Sequence, residues 1–334
     1  MAILKPNVGL HMTLSSRRFS LCEVIGRGNF GVVHRAILQG PEGFRKPVAL
    51  KILHPDASGD RDVVERLRDE ARLLALVQHR AVVRVDALVQ LGCGWAVVME
   101  VVEGAHLRRI LQEGAIPPGV AVEIAGEIAS ALHVAHHAVG KDARPLHLIH
   151  RDIKPSNLQL TAAGEVKLLD FGIARADFPS RESRTQTGML GSLGYMAPER
   201  LDGVDDPAGD IYSLGVVLWE MLVGERLGRS SCRPEKHAAL VAEAGRRLPD
   251  RWASLVDLVL SMLSFQRQER PVAKEVERAC RRLRQQIAGI GWREWAEAVV
   301  GPIVEANGGA DRARDTSWQT RTDEVVAPTF PRRV

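Results

Sequence analysis

The sequence predicts an α+β protein in which most strands come first and most helices follow. Up to residue 102, short apolar segments with a strand-like pattern are separated by turns and by one helix, Arg61–Gln78. After residue 103, apolar residues recur at three and four positions, beginning with a long helix over Pro117–His137. A run of strands followed by a run of helices is typical of the α+β class.

The composition predicts a globular protein that binds neither nucleic acid nor zinc and does not span a membrane. The chain has 334 residues, of which 45% are hydrophobic and 26% are charged, and this suits one or two domains with sizeable cores. The net charge of +4 is spread along the chain, so no nucleic-acid partner is expected. The four cysteines show no C-x-x-C spacing, which argues against zinc and disulfides. No apolar run approaches the ~20 residues of a membrane span, and residues 1–16 do not resemble a signal peptide, so we expect a soluble, cytoplasmic protein.

A glycine-rich segment follows the first predicted strand, which starts at Phe19. It has the pattern G-x-G-x-x-G-x-V, and glycines in such a turn let backbone N–H groups approach phosphates without a Cβ in the way. The same pattern can open a dinucleotide-binding fold, in which a helix follows, but here more strand follows over Val32–Leu38. The predicted nucleotide-binding residues of this segment are Ile25, Gly26, Arg27, Gly28, Asn29, Phe30, Gly31, Val32 and Val33.

Lys51 ends the next predicted strand, about twenty residues after the glycines. Strand alternation places Ala49 and Lys51 on one face, with the small side chain toward a base and the ammonium toward phosphates. A lysine at a strand end can also simply extend into solvent. The helix Arg61–Gln78 carries several acids, including Glu70, that could either pair with Lys51 or lie on the surface.

The segment His150–Gly172 contains four polar residues among strand-like apolar ones, namely Asp152, Lys154, Asn157 and Asp170. A hairpin that turns at Ala163-Gly164 would bring Asn157 and Asp170 to the same end of two short strands. Their oxygen atoms suit magnesium, which usually shares such ligands with phosphates. Asp152 can accept a hydroxyl proton, and Lys154 can hold a phosphate during transfer. The alternative is a structural hairpin with solvated charges, which would require several constrained spacings to coincide.

Three histidines, His133, His136 and His137, lie near the end of the Pro117–His137 helix. We do not predict a metal site there, because no acidic or cysteine partner stands at ligand spacing. The polar segment Val139–Leu146 that follows is predicted to be a surface insertion.

The segments H-R-D-x-K-x-x-N, D-F-G, G-x-G-x-x-G-x-V and A-P-E resemble those of protein kinases of the bacterial, eukaryotic-like serine/threonine kind. The resemblance covers Phe19 to Gln286 and implies a bilobal protein-kinase-like fold, with a small, mostly β N-lobe at 19–102 and a larger, mostly α C-lobe at 103–286. Residues 1–18 are then a lead-in. An apolar stripe that includes Trp292 and Trp295 predicts an accessory amphipathic helix at 287–306, and the polar tail 307–334 is expected to be disordered.

The resemblance also implies roles around a nucleotide. It makes Glu70 the partner of Lys51 and Met99 the residue at the back of the adenine pocket. It assigns the hinge, whose backbone binds the adenine edge, to Glu100, Val101 and Val102. Gln159 stands under the adenine, where the family usually has an apolar residue.

Two further assignments concern the base of the C-lobe. The resemblance pairs Glu199 of the A-P-E segment with Arg270 of an E-R-P turn. It also assigns Asp210 to bonding the backbone of the catalytic loop, the H-R-D-x-K-x-x-N segment at His150–Asn157. Capping of a helix N-terminus is the generic alternative role for Asp210.

A long polar loop joins the D-F-G and A-P-E segments, and loops of this length are usually functional or disordered. A phosphate on this loop would give the guanidinium of Arg151 a bidentate partner. We predict that phosphorylation at Thr185 or Thr187 orders the loop, and a loop that works unmodified is the alternative. Ser192 stands where the family more commonly has Thr, and it keeps a hydroxyl that could bridge Asp152 and Lys154.

Together these features predict a serine/threonine protein kinase that transfers the γ-phosphoryl of ATP, with Mg²⁺ or in its place Mn²⁺, to hydroxyls of protein substrates. Self-association would allow trans-autophosphorylation. A non-catalytic pseudokinase scaffold is one alternative, but no polar motif residue is missing. A small-molecule phosphotransferase is another, but it would not normally carry the A-P-E segment and the E-R-P turn.

Overall fold

The computed structural model describes residues 18–28, 31–53, 71, 73–92, 94–140, 144–171, 193–315 and 324–326, with the backbone alone at 28, 250, 307–315 and 324–326. The strands are β1 (Arg18–Gly28), β2 (Gly31–Gln39), β3 (Arg45–Leu53), β4 (Val85–Leu91), β5 (Gly94–Met99), β6 (Gly104–His106), β7 (Leu158–Thr161), β8 (Val166–Leu168) and β9 (Glu324–Val326). The α-helices are α1 (Leu107–Ile110), α2 (Pro118–His137), α3 (Pro198–Leu201), α4 (Pro207–Val223), α5 (Pro234–Arg246), α6 (Ala253–Met262), α7 (Ala273–Gln286) and α8 (Trp292–Asp315). Over these ranges no helix combines the length and the apolar character needed to cross a bilayer.

The N-lobe is a six-stranded antiparallel sheet with the strand order β4-β5-β3-β2-β1-β9. Phe19, Val48, Leu50 and Val98 are buried on it and form its core. The central strand β3 pairs with β5 so that Ala49 faces Met99 and Lys51 lies opposite Val97. This register holds Lys51 on a rigid strand at the edge of the cleft between the lobes.

A smaller sheet, β6-β7-β8, lies below the N-lobe and carries the predicted hairpin. Leu158 of β7 pairs with Leu168 of β8, so the hairpin is confirmed. Its turn needs a glycine, since Gly164 has a φ of +77°. Beyond β8, the amide of Leu169 donates to the carbonyl of Asn157 at 2.8 Å, which brings the ends of the two strands together.

The C-lobe is built around α2 and α4, which pack against each other and are largely buried. At the start of α4 the Asp206 side chain accepts a hydrogen bond from the amide of Ala208 at 2.8 Å. The helix ends at Gly224, whose φ of 78° is the left-handed conformation that glycine favours there. The N-cap is therefore Asp206, and Asp210 in the first turn is left for another role.

Helix α8 belongs to the C-lobe core. Trp292, Trp295, Val300 and Ile303 are buried, and α8 packs against α1, α2, β6 and β7. The helix continues to Asp315, beyond the boundary predicted near residue 306, and β9 pairs with the start of β1 within the tail that was expected to be disordered. The polar, Gly-, Arg- and Thr-rich composition of residues 307–334 predicted disorder, but the helix continues through the first nine of these residues.

Replacing Val300 by Ala is expected to lower the free energy of unfolding by about 2 kcal/mol. The side chain is fully buried, and the change removes two methyl groups at roughly 0.8 kcal/mol each and leaves a small cavity. Denaturant unfolding measures the effect, and Glu297→Ala, at an exposed position of the same helix, is the control. A loss below about 0.5 kcal/mol would mean that α8 is not part of the core.

Candidate active site

A lysine of the N-lobe and an aspartate of the C-lobe meet across the cleft. The Nζ atom of Lys51 lies 2.6 Å from Oδ1 of Asp170, although the two residues are 119 positions apart. Asp170 follows the β7–β8 hairpin and has a φ of 48°, an uncommon conformation for a residue other than glycine. Its side chain is 51% exposed, so a carboxylate edge remains open to the cleft.

The pKa of Asp170 lies below its ordinary value. Its position between the lobes acts to raise the pKa by burial, but the charge of the Lys51 ammonium and its hydrogen bond lower the pKa more. The carboxylate is therefore ionised at neutral pH. It can serve as an anionic ligand without a proton having to leave first.

The catalytic loop brings Asp152, Lys154 and Asn157 together. Nζ of Lys154 lies 2.8 Å from Oδ2 of Asp152. The side-chain nitrogen of Asn157, Nδ2, donates to the same carboxylate oxygen and to the backbone carbonyl of Asp152, both at 2.8 Å. Because the nitrogen of Asn157 makes both bonds, its side-chain oxygen is the atom left to bind a cation.

The oxygen atoms of Asn157 and Asp170 suit magnesium, which prefers oxygen ligands and keeps several coordination positions for water and phosphate. The candidate ligands are the open carboxylate edge of Asp170 and the amide oxygen of Asn157. Among the described residues no group of three or more His, Cys, Asp or Glu side chains could hold a metal ion by itself.

Asp210 holds the backbone of the catalytic loop, which confirms the expected role. Its buried carboxylate accepts from the amide of His150 at 2.7 Å and from the amide of Arg151 at 2.9 Å. Arg151 has a φ of 67°, and such a conformation in a non-glycine residue costs of order 1–3 kcal/mol. The two bonds to Asp210 fix the loop in this conformation.

His150 is fully buried beneath the loop as a neutral imidazole. Nε2 donates to the carbonyl of Leu169 at 3.0 Å, Nδ1 accepts from the amide of Asp152 at 3.3 Å, and the ring centroid lies 4.6 Å from that of Phe171. Burial lowers the pKa of His150 below 6.5, although Asp210 and Asp152 act in the opposite direction. The neutral ring links the loop to the segment that carries Asp170.

The stability of the protein is expected to fall as the pH drops below about 6.5. Because burial lowers the pKa of His150 in the folded protein, the unfolded chain binds a proton at this histidine at a higher pH than the folded chain does. The contribution of the neutral His150 to stability is therefore complete above the unfolded pKa and is lost as the pH falls below it. One such group contributes a slope of up to about 1.4 kcal/mol per pH unit. Unfolding free energies between pH 7 and 5 should show a smaller slope for His150→Asn. His79, His106 and His237, whose pKa values burial also lowers, remain in the variant, so part of the slope persists. An unchanged slope would contradict the neutral assignment.

The glycine-rich segment joins β1 to β2, and Gly28 pairs with Gly31 at its base. Gly31 is required for packing as well, because a Cβ there would lie 2.2 Å from the carbonyl oxygen of Ile52. Asn29 and Phe30 lie outside the described residues. The strand predicted after the glycines is confirmed by β2, so the segment opens a hairpin and not a helix.

The hinge is fixed by side-chain hydrogen bonds that the sequence did not predict. Glu100 accepts from Nζ of Lys167 at 2.8 Å and from the amide of Arg84 at 2.9 Å. The amide nitrogen of Gln159 donates to the carbonyls of Val102 at 3.0 Å and of Gly104 at 3.1 Å. The polar residue at position 159 thus ties β7 to the hinge, which explains how the structure accommodates it beside the cleft.

The predicted regulatory residues are only partly described. Thr185, Thr187 and Ser192 lie outside the described residues, as does Glu70, the predicted partner of Lys51. Arg151 is described, and its Nε donates to Oδ2 of Asp205 in a short ion pair.

The sequence profile described as "Protein kinase domain" matches residues 19–279. The matched residues span most of both lobes, and the chain therefore belongs to the protein kinase family. The crystal structure of the Mycobacterium tuberculosis PknI kinase domain is similar in fold, with a TM-score of 0.58 and 24% identity over 83% of this chain and 100% of that chain.

Curated relatives are bacterial kinases. The chain is 35% identical to tyrosine-protein kinase MasK of Myxococcus xanthus over 264 residues, which cover 75% of this chain and 40% of MasK. It is 36% identical to serine/threonine-protein kinase PknL of M. tuberculosis over 218 residues, 64% of this chain and 51% of PknL. It is 37% identical to serine/threonine-protein kinase PknB of the same species over 217 residues, 63% of this chain and 33% of PknB. The chain therefore spans about half or less of the length of these relatives.

Proposed function

We propose that this chain transfers the γ-phosphoryl group of MgATP to serine and threonine hydroxyls of protein substrates. The observation that carries the proposal is the convergence of Lys51 and Asp170 at 2.6 Å with Asp152, Lys154 and Asn157 in the adjoining loop. A purely structural hairpin would not need to collect an N-lobe ammonium and these polar groups at one cleft.

In this proposal Asp152 orients the acceptor hydroxyl and takes its proton, while Lys154 stabilises the charge that develops on the transferred group. Lys51, with Glu70 as its further partner, places the α- and β-phosphates. Magnesium, or manganese in its place, would neutralise the phosphate charge, and Asn157 and Asp170 would hold it. Positioning and charge stabilisation then account for most of the rate, as in phosphoryl transfer generally.

The base of the nucleotide would lie between the lobes. We assign its surroundings to the glycine-rich strands and to Ala49, Met99 and Gln159, with the hinge backbone at Glu100 and Val102 contacting its edge. Loop phosphorylation at Thr185 or Thr187, in trans within a self-associated pair, is the regulation proposed with it.

The choice of acceptor residue rests on two arguments. Lys154, two residues after Asp152, is the serine/threonine form of the motif. Two of the three relatives, PknL and PknB, are named serine/threonine kinases, which favours the same choice, and MasK is named a tyrosine kinase.

The test is incubation of the purified chain with γ-labelled ATP, Mg²⁺ and a generic protein substrate, followed by phosphoamino-acid analysis. We expect label on serine and threonine and none on tyrosine. Label on tyrosine would overturn the acceptor assignment, and no label on any substrate, despite nucleotide binding, would favour a scaffold without activity.

A further inference from the structure

A chain of alternating charges runs from the surface to the buried anchor of the catalytic loop. Asp205 accepts from Nε of Arg151 through one carboxylate oxygen and from Nε of Arg200, at 3.2 Å, through the other. Nη2 of Arg200 in turn donates to Asp210 at 2.9 Å. Asp210 is the residue whose carboxylate holds the amides of His150 and Arg151.

The positive and negative charges of this network are equal in number. It contains two guanidinium groups and two carboxylates, and the exposed fraction of the side chains rises from 4% at Asp210 and 8% at Arg200 to 21% at Arg151 and 36% at Asp205. Asp205 is thus its outermost member and the one that contacts the guanidinium of Arg151. The sequence predicts that a phosphate on the loop between the D-F-G and A-P-E segments would bind this same guanidinium.

The position of Asp205 is fixed by its neighbours along the chain. The amide of Val204 donates to the carbonyl of Glu199 at 3.0 Å. On the other side, Asp206 caps α4 and pairs with Arg267 at 3.3 Å. Asp205 therefore stands between two anchored residues, so little conformational entropy is lost when it binds Arg151.

We propose that Asp205 is a positioning residue, an internal counter-ion that keeps Arg151 and the catalytic loop in place when the loop at 172–192 carries no phosphate. The proposal rests on the kinase function proposed above and gives its regulation a specific form. A carboxylate on a guanidinium supplies the same kind of charge-assisted hydrogen bond as a phosphate, although with fewer oxygens. Phosphorylation of the loop would then add to an arrangement that already exists.

The kinetic test uses protein that has been treated with a phosphatase and shown by mass spectrometry to carry no phosphate. The unaltered chain should be active in initial-rate assays. Asp205→Asn should lower kcat about tenfold, the size expected from one charge-assisted hydrogen bond, with little change in KM for ATP. Asp205→Glu should restore part of the rate. Asp202→Asn, the same change at an exposed position three residues earlier, is the matched control and should have no effect.

Two kinetic outcomes would overturn the proposal. One is a kcat for Asp205→Asn within about twofold of the Asp202→Asn control. The other is an unaltered, dephosphorylated chain that is inactive and becomes active only when the loop is phosphorylated.

A second readout does not depend on activity. Hydrogen–deuterium exchange of the peptide that contains His150 and Arg151 should become at least severalfold faster in Asp205→Asn and remain unchanged in Asp202→Asn. If the unaltered chain transfers no phosphoryl group, the proposed function fails, and this exchange still decides the role of Asp205. Equal exchange in both variants overturns it.

Discussion

Replacing Asp152 by Asn is expected to lower kcat by about 10²–10⁴, the usual contribution of a general base. The asparagine has nearly the same shape but cannot take the hydroxyl proton. Its contacts with Lys154 and Asn157, at 2.8 Å in the unaltered chain, lie within the same loop, so the fold and the affinity for ATP should change little. Initial rates over a range of ATP concentrations measure kcat and the KM for ATP, and circular dichroism measures the fold.

Glu165→Gln provides the control, because Glu165 is an exposed acid on the turn of the neighbouring hairpin. Its kcat should stay within about twofold of the unaltered value. If Asp152→Asn retained a comparable rate on the same acceptor residues, Asp152 would not be the base. A different carboxylate would then have to be found in the cleft.

Replacing Arg270 by Met is expected to lower the free energy of unfolding by about 3–5 kcal/mol, the range for breaking one side of a buried ion pair. The guanidinium has no exposed surface and binds both carboxylate oxygens of Glu199, at 2.6 and 2.8 Å, which confirms the predicted pair. It also donates to the carbonyls of Ala208, Ser264 and Phe265. Methionine would leave the largely buried carboxylate of Glu199 and three carbonyls without this donor.

Urea unfolding measures the loss, and Arg246→Met provides a matched comparison. Arg246 pairs with Glu243 on the surface of α5, where 68% of its side chain is exposed, and such pairs contribute roughly 0–1 kcal/mol. A loss below about 1 kcal/mol for Arg270→Met would mean that water or other donors replace the guanidinium.

The sequence predicted the groups whose meaning lies in local spacing. Asp152, Lys154 and Asn157 fall within six residues, and the hairpin that returns Asp170 to them has a recognisable turn. For Lys51, the strand predicted the direction of the side chain, but only the packing of the lobes brings it to Asp170.

The contacts that were missed join residues without a pattern of their own. Gln159 binds a hinge carbonyl 57 residues away, and Asp205 binds Arg151 across 54 residues. A single acid or amide in a loop has many equivalent interpretations until the backbone is placed. The end of α8 was missed because the polar composition of residues 307–334 predicted disorder, and helix ends are difficult to place from sequence.

The convergence of Lys51, Asn157 and Asp170 on one metal-bound nucleotide can be measured without any substrate protein. The affinity for ATP is determined by calorimetry with and without Mg²⁺ for the unaltered chain, Asp170→Asn and the Glu165→Gln control. Magnesium should tighten ATP binding to the unaltered chain and the control by at least about tenfold and should have little effect on Asp170→Asn. The same tightening in all three proteins would show that the metal is held elsewhere and would contradict the proposed site.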